Sequence, residues 1–259
     1  RPISNLTFIS KIIERVEIKQ LLEHLNGNNL LPQCQSGYRQ YFSTETALID
    51  IFSQMFSSID SRYISFLTLL DMSAAFDCVD HTLLINKLST NFFLSGSVLF
   101  WFSSYLSDRS QQVNFKNVLS DVEKLSFGVP QGSVLGPLLF LLFTADVFDI
   151  IQKYEFYCHA FADDIQLLVS GPTNSVEATL DKLSCCLCEI NCWMKVNRFK
   201  LNQSKTQILP IGSWQQLSRL RVNSICIGSD IIEFSTSVCS LGVIIDSYLN
   251  MNLHINHVT

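Results

Sequence analysis

The chain has 259 residues, 47% hydrophobic and 16% charged, with a formal net charge of −5 and a mean hydropathy of +0.25. That much apolar material excludes a disordered tail or a charged linker and is enough to bury one large core or two smaller ones. The acidic balance argues against a free-standing nucleic-acid binder, which normally carries surplus Lys and Arg for phosphates. Acids neutralised by metal would soften that objection. So would basic surfaces elsewhere in a longer protein, a reading suggested by the start at Arg1-Pro2 without Met and the stop at Thr259 without a terminating pattern. Nine cysteines, an odd count without a signal peptide, are expected to be reduced, mostly core residues of an intracellular protein. Cys185, Cys186, Cys188 and Cys192 lie in a helix-like stretch with no His nearby and are read as packing, not as a metal cluster.

In chain order, Ile9, Ile12, Ile13, Val16, Ile18, Leu21, Leu22 and Leu25 recur near helical spacing and predict a helix ending at Asn26-Gly27-Asn28. A loop follows over 28–37. Thr44 is placed to cap a helix in which Leu48, Ile51, Phe52, Met55, Phe56 and Ile59 share one side. Ile64 to Leu70 is a strand-like apolar run ending on Asp71, and a helix is predicted from Asp80 through Leu88, with Asp77 and Asp80 as caps and His81 packed beside it. Val98, Leu99, Trp101, Phe102 and Tyr105 give the pattern of a buried helix stopping near Asp108-Arg109. The alternating runs 111–115 and 123–127 predict a hairpin. Val129-Pro130-Gln131-Gly132 reads as a loop entering the apolar run Val134 to Ala145. That run falls short of the roughly 20 residues of a membrane span, so a buried core helix is expected and no membrane partner. Apolar runs on either side of Asp163-Asp164 predict a hairpin with both carboxylates at its tip; a helix over 175–191 and short strands at 208–211, 224–227 and 243–245 complete the chain.

Adjacent aspartates repel unless a cation lies between them, and hard divalent cations prefer oxygen ligands. Asp-Asp also makes an ordinary soluble turn. The second apolar strand that ends on a carboxylate, at Asp71, favours the metal reading. Two such strands can lie side by side and aim Asp71, Asp163 and Asp164 at one point, as two-metal phosphoryl transfer requires.

The motifs also stand in a recognisable order. Arg1-Pro2-Ile3-Ser4 with Ser10-Lys11 is followed by Gln35-Ser36-Gly37-Tyr38-Arg39 with Ser43-Thr44, then by Asp71-Met72-Ser73-Ala74-Ala75-Phe76-Asp77. Gly128 to Pro137, Phe161-Ala162-Asp163-Asp164, Leu201-Asn202-Gln203-Ser204-Lys205-Thr206, and Leu241-Gly242-Val243 with Asp246 complete the series. Over almost the whole chain this resembles the reverse transcriptase domain of non-LTR (LINE-type) retrotransposons. The resemblance implies an α+β right-hand polymerase of fingers and palm, with an antiparallel palm sheet packed on helices and the thumb largely missing. Residues 1–60 would be the first part of the fingers, 61–90 the first part of the palm, and 91–127 a fingers/palm insertion. Residues 128–259 would be palm, carrying the nucleotide-contact loop, the Asp-Asp hairpin and a primer-grip-like hairpin at 241–243; His254 and His257 fall at the start of the next helix rather than forming a metal pair.

The same resemblance implies two Mg²⁺ ions, with Mn²⁺ as a substitute, held by Asp71, Asp163, Asp164 and the Met72 backbone carbonyl. Phe76 would lie under the sugar and block a 2′-hydroxyl, while Gln131 and Gly132 would meet the incoming nucleotide. Arg1, Lys11 and Arg39 would face the triphosphate, and Lys205 would protonate pyrophosphate as general acid. The partners implied are an RNA template, a DNA primer and deoxynucleoside triphosphates. Against this stand plainer readings: Phe76 as core, Gln131-Gly132 as a turn, and the cations as solvated surface. Two other functions also remain open, a catalytically silent remnant that binds nucleic acid or serves as structure, and an RNA-dependent RNA polymerase, which Phe76 disfavours.

Overall fold

A computed structural model describes residues 4–72, 75–116, 118–202, 204–228 and 230–259. In chain order the elements are α1 (Phe8–Gly27), α2 (Thr44–Asp60), β1 (Tyr63–Leu70), a 3₁₀ turn (Ala75–Cys78), α3 (His81–Thr90), α4 (Gly96–Leu106), β2 (Ser110–Gln111), β3 (Asn114–Phe115), β4 (Val118–Leu119) and β5 (Glu123–Lys124). There follow α5 (Gly136–Thr144), α6 (Val147–Lys153), β6 (Tyr157–Phe161), β7 (Asp164–Pro172), α7 (Val176–Val196), β8 (Gln207–Ile211), α8 (Trp214–Leu217), β9 (Ser224–Ile227), β10 (Asp230–Glu233), β11 (Ser237–Ser240), β12 (Val243–Asp246) and α9 (Asn252–Val258). They form two compact units interleaved along the chain: Arg1–Leu31, Ala74–Ala145 and Asn197–Phe199 in one, Pro32–Ser73, Asp146–Val196 and Lys200–Thr259 in the other. No helix among the described residues is long and apolar enough to cross a membrane.

The second unit is built on a four-stranded sheet in the order β6-β7-β1-β8, with every neighbouring pair antiparallel. β1 is central and buried along nearly its whole length, which suits its run of β-branched and aromatic residues. Register puts Tyr157, Leu168, Leu67 and Leu209 in one row across the sheet. That row joins Ile51 and Met55 of α2 and Val238 and Ile245 of the β11–β12 hairpin in a single apolar core. The period of two then places Leu69 on the same face and Asp71 next beyond it.

The first unit centres on α5, in which every residue but Pro137 is buried. A helix with both ends inside a protein leaves backbone donors and acceptors to be satisfied by side chains from elsewhere. Glu14, itself buried, accepts hydrogen bonds from Val134 N (2.6 Å) and Leu135 N (3.2 Å) through Oε2, and Tyr105 donates its hydroxyl to Oε1. At the other end Lys87 donates its ammonium to Phe143 O at 2.7 Å and lies over the Phe143 ring. An acid at the N-terminus and a base at the C-terminus match the helix dipole. Glu14→Ala is therefore expected to cost about 2–4 kcal/mol of unfolding free energy by leaving buried donors unmet, read from urea denaturation; a loss within about 0.5 kcal/mol, the range of ordinary surface changes, would remove Glu14 from this role.

Several expectations need correction. The α2 cap is Ser43, which exchanges reciprocal bonds with Thr46, and not Thr44. The helix expected to end at Asn26-Gly27-Asn28 is present as α1, with Glu14, Leu21 and Leu25 buried and Ile9, Ile12, Ile13 and Val16 exposed. By contrast α4 buries only Phe102 and Leu106, and Phe100 is 76% exposed, so it is no buried helix. The 111–127 hairpin exists, but as two nested two-residue ladders, β2 with β5 and β3 with β4, all exposed. Of the nine cysteines only Cys186 is buried, while Cys185, Cys192, Cys226 and Cys239 are exposed on the outward positions of their elements. Apolar periodicity reports which residues can be covered, not whether anything covers them.

Candidate active site

The β6–β7 hairpin closes with a two-residue turn, because Phe161 pairs with Asp164 and leaves Ala162 and Asp163 unpaired. The tip therefore holds one aspartate, Asp163, while Asp164 is the first residue of β7. The last rungs of the neighbouring ladder are Leu70 with Ile165, so Asp71 and Asp164 stand one step further on, at the same end and on the same face of the sheet. Both line one open cleft of about 310 Å³, together with Gln166, Lys205, Ser240 and Leu241. Asp71 Oδ2 accepts from Asn202 Nδ2 at 3.0 Å and stands 3.7 Å from Lys205 Nζ. The neighbouring β11–β12 hairpin is tied in by Gln166 Nε2, which donates to Ser240 Oγ at 2.6 Å. At the end of β12, the buried carboxylate of Asp246 accepts from the backbone of Tyr248 (2.9 Å) and Met251 (3.0 Å) and so fixes the following loop.

Among the described residues no three His, Cys, Asp or Glu side chains form a ready-made metal cage. What the fold brings together is Asp71 and Asp164 in one cleft; Asp163 precedes Asp164 in the turn and is not among the residues lining that cleft. Met72 is buried and bridges to Leu201, which seats the strand end.

The loop over 32–39 is less free than its composition suggests. Gln35 forms an isolated parallel bridge with Ala160, Ser36 N donates to Ala160 O (2.8 Å), and Ala160 N donates to Cys34 O (2.8 Å), so this segment is tied to the outer edge of β6. Ser36 Oγ hydrogen-bonds His159 Nε2 at 2.9 Å. The thiols of Cys34 and Cys158 hydrogen-bond across the same junction, which holds Cys34 below the usual thiol range and Cys158 above it. Arg39 donates to Pro32 O and Gln35 O, both at 3.1 Å, and lies over the Phe42 ring. Tyr38 has its phenol pushed up by burial and by the Asp163 carboxylate. The motif Gln35-Ser36-Gly37-Tyr38-Arg39 implies a role for Arg39 and none for Gln35; the one local signal is Gly37, a residue type that allows close backbone approach, two positions after Gln35.

Burial lowers the His159 imidazole below its ordinary value, against a smaller opposing pull from Asp50. The unfolded chain then binds the proton more readily, so the stabilisation is fully present above pH about 6.5 and is lost as pH falls through that value toward the native pKa. Denaturation midpoints are expected to drop between pH 7.5 and pH 5.5, and the drop to shrink in His159→Gln. An equal drop in both proteins would assign the acid sensitivity to other groups.

In the other unit, Phe76 is 9% exposed and stacks on Phe140 with ring centroids 4.6 Å apart. Gln131 donates its amide to both carboxylate oxygens of Asp77, at 3.1 and 3.2 Å, so Asp77 orients Gln131 instead of capping a helix. Asp80 is the cap of α3, accepting from Leu83 N at 3.0 Å, and also pairs with Arg198 at 2.8 Å. His81 Nε2 hydrogen-bonds Gly128 O at 2.8 Å, a packing role of the kind expected. Gly132 has φ +96°, a backbone conformation that a side chain would strain. Lys11 lies partly exposed in the first turn of α1. Arg1 falls outside the described residues, as do Pro2, Ile3, Ser73, Ala74 and Gln203 of the motifs.

Residues 1–245 match the reverse transcriptase (RNA-dependent DNA polymerase) family. The whole chain is 31% identical over 264 residues to the probable RNA-directed DNA polymerase from transposon BS of Drosophila melanogaster, covering 28% of that protein. It is 30% identical over 184 residues to the RNA-directed DNA polymerase from mobile element jockey of Drosophila funebris, covering 69% of this chain and 20% of that one. The chain thus spans under a third of the length of these relatives. In fold it is similar to telomerase from Candida tropicalis, solved in complex with a fragment of telomeric RNA, with a TM-score of 0.60 at 14% identity over 95% of this chain and 37% of the telomerase. The chain belongs to the reverse transcriptase family, and its relatives are the polymerases of non-LTR retrotransposons.

Proposed function

We propose that this chain is the RNA-directed DNA polymerase domain of a longer retrotransposon protein, adding deoxynucleotides to the 3′-hydroxyl of a DNA primer on an RNA template. The observation that carries the reading is the placement of Asp71 and Asp164 at the ends of adjacent antiparallel strands, on one face and in one cleft, beside the turn bearing Asp163. On this reading the four-stranded sheet is the palm of a right-hand polymerase, with residues 1–60 beginning the fingers, 61–90 the palm, 91–127 an insertion, and 128–259 the rest of the palm.

Carboxylates and a backbone carbonyl are the hard oxygen donors that Mg²⁺ prefers, so Asp71, Asp163, Asp164 and the Met72 carbonyl fit a pair of such ions. Bound there, the cations would favour ionisation of the primer hydroxyl and neutralise charge on the departing pyrophosphate. Asp71 is held in place by Asn202, which fixes its carboxylate direction without neutralising it. Lys205 Nζ, on the same carboxylate, is the donor that would return a proton to the pyrophosphate oxygen. By their places in the motifs, Phe76 excludes a 2′-hydroxyl, Gln131 and Gly132 contact the incoming nucleotide, and Lys11, Arg39 and Arg1 meet its triphosphate.

The test is primer extension by the full-length protein that carries this chain, with an RNA template, a DNA primer, deoxynucleotides and Mg²⁺. Extension that depends on the template is expected. Its absence from folded, template-binding protein, alongside an active related enzyme, overturns the reading.

A further inference from the structure

We propose that Gln35 is a positioning residue for the aspartate turn, acting on the backbone of Ala162; this rests on the reading of Asp163 and Asp164 as catalytic. Ala162 takes φ +58°, a left-handed conformation that residues with a Cβ adopt reluctantly. Two-residue hairpin turns reach such angles readily with Gly, Asn or Asp at this position, and here the residue is Ala. The local sequence therefore does not account for the turn, and a distant group has to hold it.

Gln35 is that group. It lies 127 residues earlier in the chain and is 2% exposed. Its Oε1 accepts from Ala162 N at 3.0 Å and from Gly37 N at 2.8 Å, while Nε2 donates to Ala162 O at 3.1 Å. One amide thus meets both backbone polar groups of the strained residue, a pattern only a side chain with donor and acceptor can supply. Gly37 completes the fit: a Cβ built there would lie 2.3 Å from Ala162 N and 2.9 Å from its Cα, so the loop and the turn touch backbone to backbone. The bonds from Ser36 and Cys34 to Ala160 keep the loop in register with β6. Asp163 and Asp164 immediately follow Ala162, so their directions are set through Gln35, and Mg²⁺ tolerates little departure from octahedral geometry.

The experiment compares the full-length wild type with Gln35→Leu, which loses donor and acceptor, and Gln35→Glu, which keeps the acceptor but turns an oxygen toward Ala162 O. The readouts are amide hydrogen exchange at Ala162, the Mg²⁺ dependence of kcat for primer extension, and the Kd for template–primer. In Gln35→Leu, exchange at Ala162 is expected to accelerate and kcat to fall about 10- to 100-fold with a raised Mg²⁺ requirement, at unchanged template–primer Kd. Gln35→Glu is expected to keep Ala162 N–H protected and still show the raised Mg²⁺ requirement, and it decides the matter if Gln35→Leu fails to fold. Wild-type metal dependence in Gln35→Glu, or in folded Gln35→Leu, overturns the inference. Asp163→Ala is run alongside: its inactivity together with normal Gln35 variants removes only the positioning role, whereas its activity removes the catalytic reading beneath it.

Discussion

Replacing Asp163 or Asp71 by Ala in the full-length protein is expected to lower primer extension by about 10³-fold or more, while the melting temperature stays near that of the wild type. The two halves of that expectation have separate causes. A carboxylate that holds a cation against the reacting phosphate supplies several kcal/mol of charge stabilisation, and each loss of about 1.4 kcal/mol is a factor of ten in rate. Stability is expected to be spared because Asp163 lies at a hairpin tip beside a like charge, which offsets what its removal loses, and Asp71 loses only partly exposed partners in Asn202 and Lys205. Single-turnover extension and thermal denaturation on the same samples check both. Activity within about tenfold of wild type for either variant contradicts a shared metal-holding role, since removing even one outer-shell partner of a metal ligand commonly costs that much.

Phe76→Ala is expected to change two quantities at once. The ring is nearly buried and stacked on Phe140, which in turn meets the edge of Phe199. Its removal leaves a cavity, and the expected cost is about 3–5 kcal/mol of unfolding free energy. If the same ring also bars a 2′-hydroxyl, the ratio of ribonucleotide to deoxynucleotide incorporation should rise by about 10- to 200-fold, the range over which a pocket discriminates one small group. Stability and selectivity separate the readings: a destabilised variant with unchanged sugar preference would make Phe76 an aromatic core residue and nothing more. Relative incorporation, measured by competition in one reaction, is insensitive to the fraction of protein folded.

The site was legible in the chain to the extent that it rests on strand ends. Ile64 to Leu70 is an apolar, β-rich run that stops on a carboxylate, Ile165 to Val169 is one that starts after a carboxylate, and strand periodicity alone assigns Asp71 and Asp164 to definite faces. The α5 segment was equally plain, because an uncharged run of that length has no stable place but a core. By contrast, β10 and β11 carry Asp230, Glu233, Ser237 and Ser240, too polar and short to register as strands until they pair with β9 and β12. Exposure on α4 was misjudged for the converse reason: the periodicity was there and the covering surface was not.

By itself, the sequence determined the order of the motifs, the strand that ends on Asp71, the Asp-Asp hairpin and the buried helix, since each depends on side-chain patterns within a few residues. Only the tertiary structure decided that Gln35 holds Ala162, that Glu14 and Lys87 close the two ends of α5, and that Asp77 answers Gln131. Those are hydrogen bonds between groups 54 to 127 residues apart. Their partners are chosen by which buried donors and acceptors the packed backbone leaves unmet, a quantity that no local pattern carries.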